Sequence, residues 1–299
     1  QAESASVVMD YQGHIVGIVG GRGEKTGSLS WNRATVATRQ PGSTFKPLSA
    51  YTPAIENDLI NFGTSVKSSS YTSPIDNHTI KNNLGSSSVS VQKALERSSN
   101  TAPAWIITDL TVNYSYNYLT TRFGLTLSDA DKDMAPLAVG ATSGGPSVLQ
   151  MTAAYATFGN LGKYWEPTTY TKITDQQDDI VLQQEERPTT AMSEATANIM
   201  NELLQFVIYG DQGTGRSASF GGDKYWPLYG KTGTTDDNHD RWFMGGSAYY
   251  VCGTWFGFDI GKEMSTGYTN PAIKVWKGVM EKIHANLEPK DFPDTDETI

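Results

Sequence analysis

The stretch RQPGSTFKPL, Arg39 to Leu48, decides how this chain is read. Gln40-Pro41-Gly42 reads as a turn that opens a helix, and Ser43 stands one helical turn before Lys46. Side chains three apart on a helix share a face, with Cβ atoms roughly 5–6 Å apart, so the amine can reach the hydroxyl. To act as a base that amine must be neutral. Bringing a lysine from about 10.4 to about 7.5 costs roughly 4 kcal/mol of differential stabilisation. Desolvation and a second cation nearby can supply it. The helix N-terminus under the serine also favours negative charge developing there.

Alone, the pattern carries little weight. S-x-x-K recurs at Ser90–Lys93, S-x-N occurs at Ser30, Ser98 and Ser115, and K-T-G occurs at Lys25 and Lys231. Order and context separate them. Only one set gives a serine opening a helix, then Ser98-Ser99-Asn100 in the break between two helices, then Lys231-Thr232-Gly233-Thr234 on a strand.

Working outward, SVVMDYQGHIVGIVGG (Ser6–Gly21) reads as a β-hairpin about Gln12-Gly13. The helix after Ser43 is expected to run to about Asn57, with Pro47 tolerable only near its first turn. Residues 61–90 are rich in Ser, Asn, Thr and Gly and read as a long irregular connection. Helices follow on either side of Ser98–Asn100, over Pro146–Gly162, and over Met192–Gly210 with Ser193 as N-cap. From Tyr225, three apolar segments around the polar break DDNHD read as antiparallel strands. Pro271–Leu287 reads as a closing helix, and residues 288–299 as a flexible acidic tail. Strands at both ends with helices between imply an α+β fold: an antiparallel sheet flanked by helices, with a mostly helical subdomain.

Bulk properties narrow the function. The chain has 299 residues and a net charge of −9, which argues against nucleic acid as partner. Its one cysteine, Cys252, lies in an apolar run and reads as a buried thiol. No run of about 18 apolar residues is present. Residue 1 is not methionine and a strand starts almost at once, so a piece of a longer chain is expected. The histidines His14, His78, His239 and His284 come without a G-x-S-x-G elbow, against a Ser-His-Asp hydrolase. Tyr225 occupies the place a P-loop needs for its first glycine. Asp236, Asp237 and Asp240 match no calcium loop and read as a polar turn. Glu166-Pro167 is similar to a deacylating E-P-x-x-N loop, but Tyr170 replaces the asparagine. Trp226, Trp242 and Trp255 fit core or cleft wall. No metal and no cofactor is expected.

The three motifs together resemble those of penicillin-binding proteins and serine β-lactamases. WNRATVATRQPGSTFKPLSAYTPAIE, ALERSSNTAPAWI, PSVLQMTAAYATFGNLGKYWEPT and GKTGTTDDNHDRWFMGGSAYYVCGTWFG resemble the transpeptidase domain of class A, bifunctional members, from about Val7 to Trp276. Two departures stand out, Ser99 in the middle motif and the stretch MGGSAYY. The resemblance implies a serine D,D-transpeptidase acting on peptidoglycan stem peptides ending in D-Ala-D-Ala, with β-lactams acylating the same serine. It implies Ser43 as nucleophile, Lys46 as proton acceptor, Ser98 as proton relay, and Asn100 as the group that holds substrate and orients Lys46. It gives Lys231 a positive field, makes Thr232 and Thr234 binders of the terminal carboxylate, and places Gly233 where substrate lies against the strand. The backbone N–H groups of Ser43 and Thr234 would form the oxyanion hole. A D,D-carboxypeptidase or β-lactamase, or a penicillin-sensing module, would share the nucleophile. The family also implies an upstream membrane anchor and glycosyltransferase domain, partners among cell-wall synthesis proteins through the full-length chain, and a place on the outer face of the bacterial cell membrane.

Overall fold

A computed structural model describes residues 1–25, 27–184, 187–235, 238–264 and 270–294. Its central element is a five-stranded antiparallel sheet. In chain order the strands are β1 (Glu3–Met9), β2 (Ile15–Val19), β3 (Tyr229–Thr234), β4 (Asp240–Gly246) and β5 (Val251–Gly257). In space the order is β3-β4-β5-β1-β2, so the N-terminal hairpin is completed by strands more than 200 residues later. Pairing of β1 with β5 runs from Glu3 opposite Gly257 to Met9 opposite Val251. The Ser6 and Thr254 hydroxyls, 2.9 Å apart, bridge that pair.

Both faces of β1, β3, β4 and β5 are covered, which explains their apolar runs, while edge strand β2 leaves Val16, Ile18 and Val19 exposed. Alternation sends Val7, Met9, Trp242, Met244 and Trp255 into one core and Val8, Phe243 and Cys252 into another. The first core is shared with α1 (Thr52–Glu56), α3 (Thr101–Leu110), α6 (Val148–Ala156) and α7 (Glu194–Tyr209). The second is closed by α8 (Pro271–Ile283), whose Trp276 donates to the Cys252 carbonyl at 2.9 Å. Trp226, Trp242 and Trp255 are therefore core residues, and burial pushes the Cys252 thiol up to about 12. The remaining helices, α2 (Val91–Glu96), α4 (Val112–Arg122) and α5 (Met134–Val139), join α3 in the helical part.

Helix ends follow their local chemistry. Ser193 caps α7 by accepting from the Thr196 N–H, Ser147 and Gln150 form a reciprocal capping box on α6, and Asn270 caps α8 ahead of Pro271. Two regions depart from the composition-based reading. Residues 61–90 contain two short antiparallel pairs, Ser65–Lys67 with Ser88–Ser90 and Tyr71–Thr72 with Thr79–Ile80. These strands are too short to show periodicity; buried Val66, Tyr71 and Ile80 hold them on the helical part. The expected flexible tail also differs over 288–294. Phe292 packs its ring 5.5 Å from that of Tyr229, Asn198 donates to Asp294 at 2.9 Å, and Lys224 pairs with Glu288 at 2.7 Å. One aromatic residue gives that acidic segment an anchor. Residues 295–299 lie outside the described residues, as do Asp236, Asp237 and Thr26 of the first K-T-G.

Candidate active site

Ser43 sits in a 3-10 turn, Gly42–Thr44, that feeds a π-helical segment, Pro47–Tyr51, and then α1. The irregularity begins where Pro47 supplies no N–H; Leu48 and Ser49 both turn their N–H groups to the Phe45 carbonyl. The turn is held from below. Tyr155, on α6, donates to the Thr44 carbonyl at 2.7 Å, Tyr229 on β3 donates to the Tyr155 carbonyl at 2.8 Å, and Trp242 on β4 donates to the Gln40 carbonyl at 2.8 Å. Gly42 has φ +54, and a Cβ there would stand 2.5 Å from the Thr234 carbonyl oxygen and 3.1 Å from the Thr234 nitrogen. The backbone just before Ser43 thus abuts the end of β3.

Ser98 occupies the break between α2 and α3 with φ +57, a left-handed conformation that costs a non-glycine residue about 1 kcal/mol. That geometry turns both its polar groups toward the lysines. The Lys231 amine donates to the Ser98 hydroxyl at 2.8 Å and to the Thr232 carbonyl at 3.2 Å. The Lys46 amine donates to the Ser98 carbonyl at 3.1 Å and to Asn100 Oδ1 at 2.6 Å. Lys46 thus meets Ser98 through its carbonyl, Lys231 through its hydroxyl. Both lysines are fully buried, in a chain whose other long cations mostly face water.

Burial pulls the Lys231 amine down to about 7. The burial invoked for Lys46 in the sequence holds for both lysines in the structure.

Gly233 departs from expectation. A Cβ on it would meet the Pro41 carbonyl oxygen at 2.7 Å and Thr44 Cγ2 at 2.9 Å. Its bare face is turned to the nucleophile turn and lets β3 lie against it; substrate is not what needs the space. Thr232 is half-buried and shares a 2.8 Å hydrogen bond with the Thr214 hydroxyl, while Thr234 is exposed.

A cleft of about 290 Å³ collects Ser43, Asn100 and Thr234, with Gln40, Val139 and Gly140 on its walls. A larger hollow of about 410 Å³ lies against α7 and the C-terminal segment, lined by Glu202, Tyr225, Asp291 and Phe292, and contains none of the motif residues. Convergence of lysines on serines, not size, marks the site. Of the described candidates for other chemistries, His78 lines the cleft, while His284, Glu166 and Asp240 fall elsewhere. His284 is buried between the Ser247 hydroxyl and the Met280 carbonyl, both at 2.7 Å. Residues 166–168 lie along the 13–15 turn through the Thr168–Gly13 bond, outside the cleft lining. Asp240 accepts from Trp255 Nε1 at 2.7 Å, and no cluster of three metal-ligating residues occurs among the described residues.

Two residues escaped the sequence reading. Asn83 accepts from the Asn100 N–H at 2.9 Å and donates to the Ser98 carbonyl at 3.3 Å, bracing the middle motif from outside. Thr214 braces Thr232. Neither belongs to a motif, and Asn83 lies in the stretch read as irregular. The departures at Ser99 and MGGSAYY are not part of the cleft lining. Ser99 is buried and accepts from the Ala102 N–H at 3.1 Å, and Ser247 is tied to α8 through His284.

The family profile described as the penicillin binding protein transpeptidase domain matches residues 4–258. Penicillin-binding protein 1A of Clostridium acetobutylicum is 34% identical over 98% of this chain and 37% of its own length. Penicillin-binding protein 4 of Bacillus subtilis is 30% identical over 93% of this chain and 44% of its own. The chain thus spans less than half the length of these relatives. Among solved structures, PonA1 from Mycobacterium tuberculosis in complex with penicillin V superposes with a TM-score of 0.82 at 21% identity, covering 99% of this chain and 82% of that one. Penicillin-binding protein 1A from Haemophilus influenzae gives 0.81 at 23% identity, covering 99% of this chain and 49% of that one. With its profile match, its relatives and its fold in agreement, this chain belongs to the penicillin-binding protein transpeptidase family.

Proposed function

We propose that this domain is a serine D,D-transpeptidase that cross-links peptidoglycan stem peptides through an acyl-enzyme on Ser43, and that β-lactams acylate the same hydroxyl. The observation that carries this reading is the meeting of two fully buried lysine amines on one serine, Ser98, beside the cleft that holds Ser43.

Ser43 Oγ attacks the carbonyl of the penultimate D-Ala. Its proton passes to Lys46, the Oγ–C bond forms, and the C–N bond breaks once Ser98 delivers a proton to the departing D-Ala amine. Asn100 holds Lys46 in place and offers its amide nitrogen to the substrate backbone. Lys231, when charged, supplies a proton through Ser98 and attracts the terminal carboxylate, which Thr232 and Thr234 bind. The N–H groups of Ser43 and Thr234 receive the oxyanion; the close approach of residue 42 to the Thr234 backbone supports that pairing. A hole of this kind loses about 3–4 kcal/mol when one donor is removed. An amine from a neighbouring stem then attacks the ester and gives up a proton through Ser98 to Lys231, the new C–N bond forms as the Ser43 Oγ–C bond breaks, and Oγ regains its proton from Lys46. The domain would work on the outer face of the bacterial cell membrane, anchored and partnered with cell-wall synthesis proteins through its full-length chain.

The test is mass spectrometry after exposure to benzylpenicillin, with the adduct mapped by peptide. One adduct on the peptide bearing Ser43 is expected, with slow release, and Ser43→Ala should remove it without shifting the melting temperature by more than a degree or two. Stoichiometric labelling that survives in Ser43→Ala would sink the assignment, and rapid turnover of the drug would move the domain to the β-lactamases.

A further inference from the structure

One wall of the cleft is made by a segment that no motif predicts. His78, Thr79, Ile80 and Lys81 line it across from Ser43 and Thr234. They belong to the short hairpin that pairs Tyr71 with Ile80 and Thr72 with Thr79. The hairpin is anchored: Tyr71 and Ile80 are buried, the Tyr71 ring stands edge-on to Trp105 of α3 at 5.1 Å, and Asn83, two residues past Lys81, is bonded to Asn100. Lys81 is therefore fixed in backbone position from both sides while its side chain is exposed at the mouth.

Its electrostatic setting is unusual for a chain of net charge −9. Among the described residues that line the cleft there is no carboxylate. No described carboxylate pairs with Lys81 either. His78, the other basic group on this wall, shares the neighbouring hollow with Asp76 and Asp133, which offset it. Lys81 is the exposed lysine among the described residues of the cleft lining, while Lys46 and Lys231 lie buried beside the cleft, engaged with Ser98 and Asn100. Low-dielectric walls strengthen the pull of such a charge on an anionic group entering the cleft.

We infer that Lys81 is a specificity residue that selects acyl donors carrying a second carboxylate, on the acyl side of the bond that is broken, in addition to the terminal carboxylate. A stem peptide with a free carboxylate on the residue before the D-Ala pair fits; the same donor with that group amidated loses the contact. This rests on the transpeptidase reading above, and the test keeps the two separable.

The probes are three penicillins with one nucleus: benzylpenicillin, its α-carboxy derivative and its α-amino derivative. Second-order acylation rates are measured at low salt for the protein as it stands, Lys81→Gln and Lys81→Glu, each with its melting temperature. We expect the α-carboxy to benzyl rate ratio to fall about threefold in Lys81→Gln and about tenfold in Lys81→Glu. The α-amino to benzyl ratio should rise in Lys81→Glu, and 0.5 M salt should shrink all these differences. Ratios that stay constant across the three proteins, or a loss shared equally by all three drugs, overturn the assignment of Lys81. Failure of benzylpenicillin to label Ser43 in the unaltered protein would instead strike the transpeptidase reading itself.

Discussion

Lys231 offers the sharpest test, because burial sets its proton affinity and the consequences for acylation and for stability run in opposite directions. The amine is fully buried, bonds to the Ser98 hydroxyl and the Thr232 carbonyl, and is pulled from 10.5 to about 7 by desolvation. A shift of that size corresponds to about 5 kcal/mol of disfavour for the buried ammonium, an order-of-magnitude figure. If the charged form receives the carboxylate of the incoming drug, the contribution of Lys231 to the second-order acylation rate is constant below pH 7 and falls about tenfold per unit above it, since this rate reports the free enzyme. Stability moves the other way. The unfolded lysine keeps its proton up to 10.5 while the folded one has lost it above 7, so the unfolded chain binds more protons and folding becomes more favourable as pH rises through that window. Below 7 both states are protonated and this contribution is constant. Tyr11, Tyr155 and Tyr229 are pushed above the ordinary phenol value by burial and keep their protons across the range. The assay is stopped-flow acylation by benzylpenicillin from pH 6 to 9.5, paired with melting curves. Lys231→Arg, which stays charged, should lower the absolute rate and remove the alkaline limb. An alkaline limb that persists unchanged in Lys231→Arg would refute the requirement for a charged Lys231.

Two further outcomes follow from the site's supports. Gly42→Ala forces a Cβ to 2.5 Å from the Thr234 carbonyl oxygen at φ +54. It should cost about 2–4 kcal/mol by denaturant unfolding and slow acylation at least a hundredfold. Asn83→Ala removes the bonds to Asn100 and Ser98 from an exposed position. It should slow acylation about three- to tenfold, the equivalent of about 0.5–1.5 kcal/mol, with little change in melting temperature.

How much the sequence shows depends on what each residue answers to. The hairpin at the N-terminus and the three late strands are legible as apolar runs bounded by turns, and α6, α7 and α8 because one face of each is buried and burial imposes a period. The three motifs are legible because their order matches a known set. The short pairs in 61–90 are not, since two or three residues cannot display a period, and what fixes them is a partner far along the chain, such as Trp105 under Tyr71. The same holds for Phe292 against Tyr229, where a segment of disordered composition is held by one ring. Lys231 was legible as a site residue and illegible as a titrating one. Its surroundings come from β3, the Ser98 junction and the core behind them, so its proton affinity belongs to the fold and to no local stretch.

The two glycines that flank the chemistry explain why the motifs must occur as a set. Ser43 lies on a helix opening in the first quarter of the chain and Thr234 on an edge strand near its end, and their backbones can share an oxyanion only if the two segments touch main chain to main chain. A side chain on Gly42 would reach Thr234, and one on Gly233 would reach Pro41 and Thr44. Each glycine removes the obstacle that the other segment would meet. Gly42 also answers to its own turn, with φ +54, and Gly233 to Trp242 of the next strand, but the closest atoms each accommodates come from the opposite motif. The lysine–serine contacts then follow from the same closure: β3 carries Lys231 to the Ser98 junction only when it lies flush against the nucleophile turn. Widening that contact by one methyl group should therefore disturb three distances together, the oxyanion pair, Lys231 to Ser98, and Lys46 to Asn100. Acylation should accordingly fall further in Gly42→Ala than its loss of stability accounts for, and a variant that lost only stability would show that the two segments are not coupled in this way.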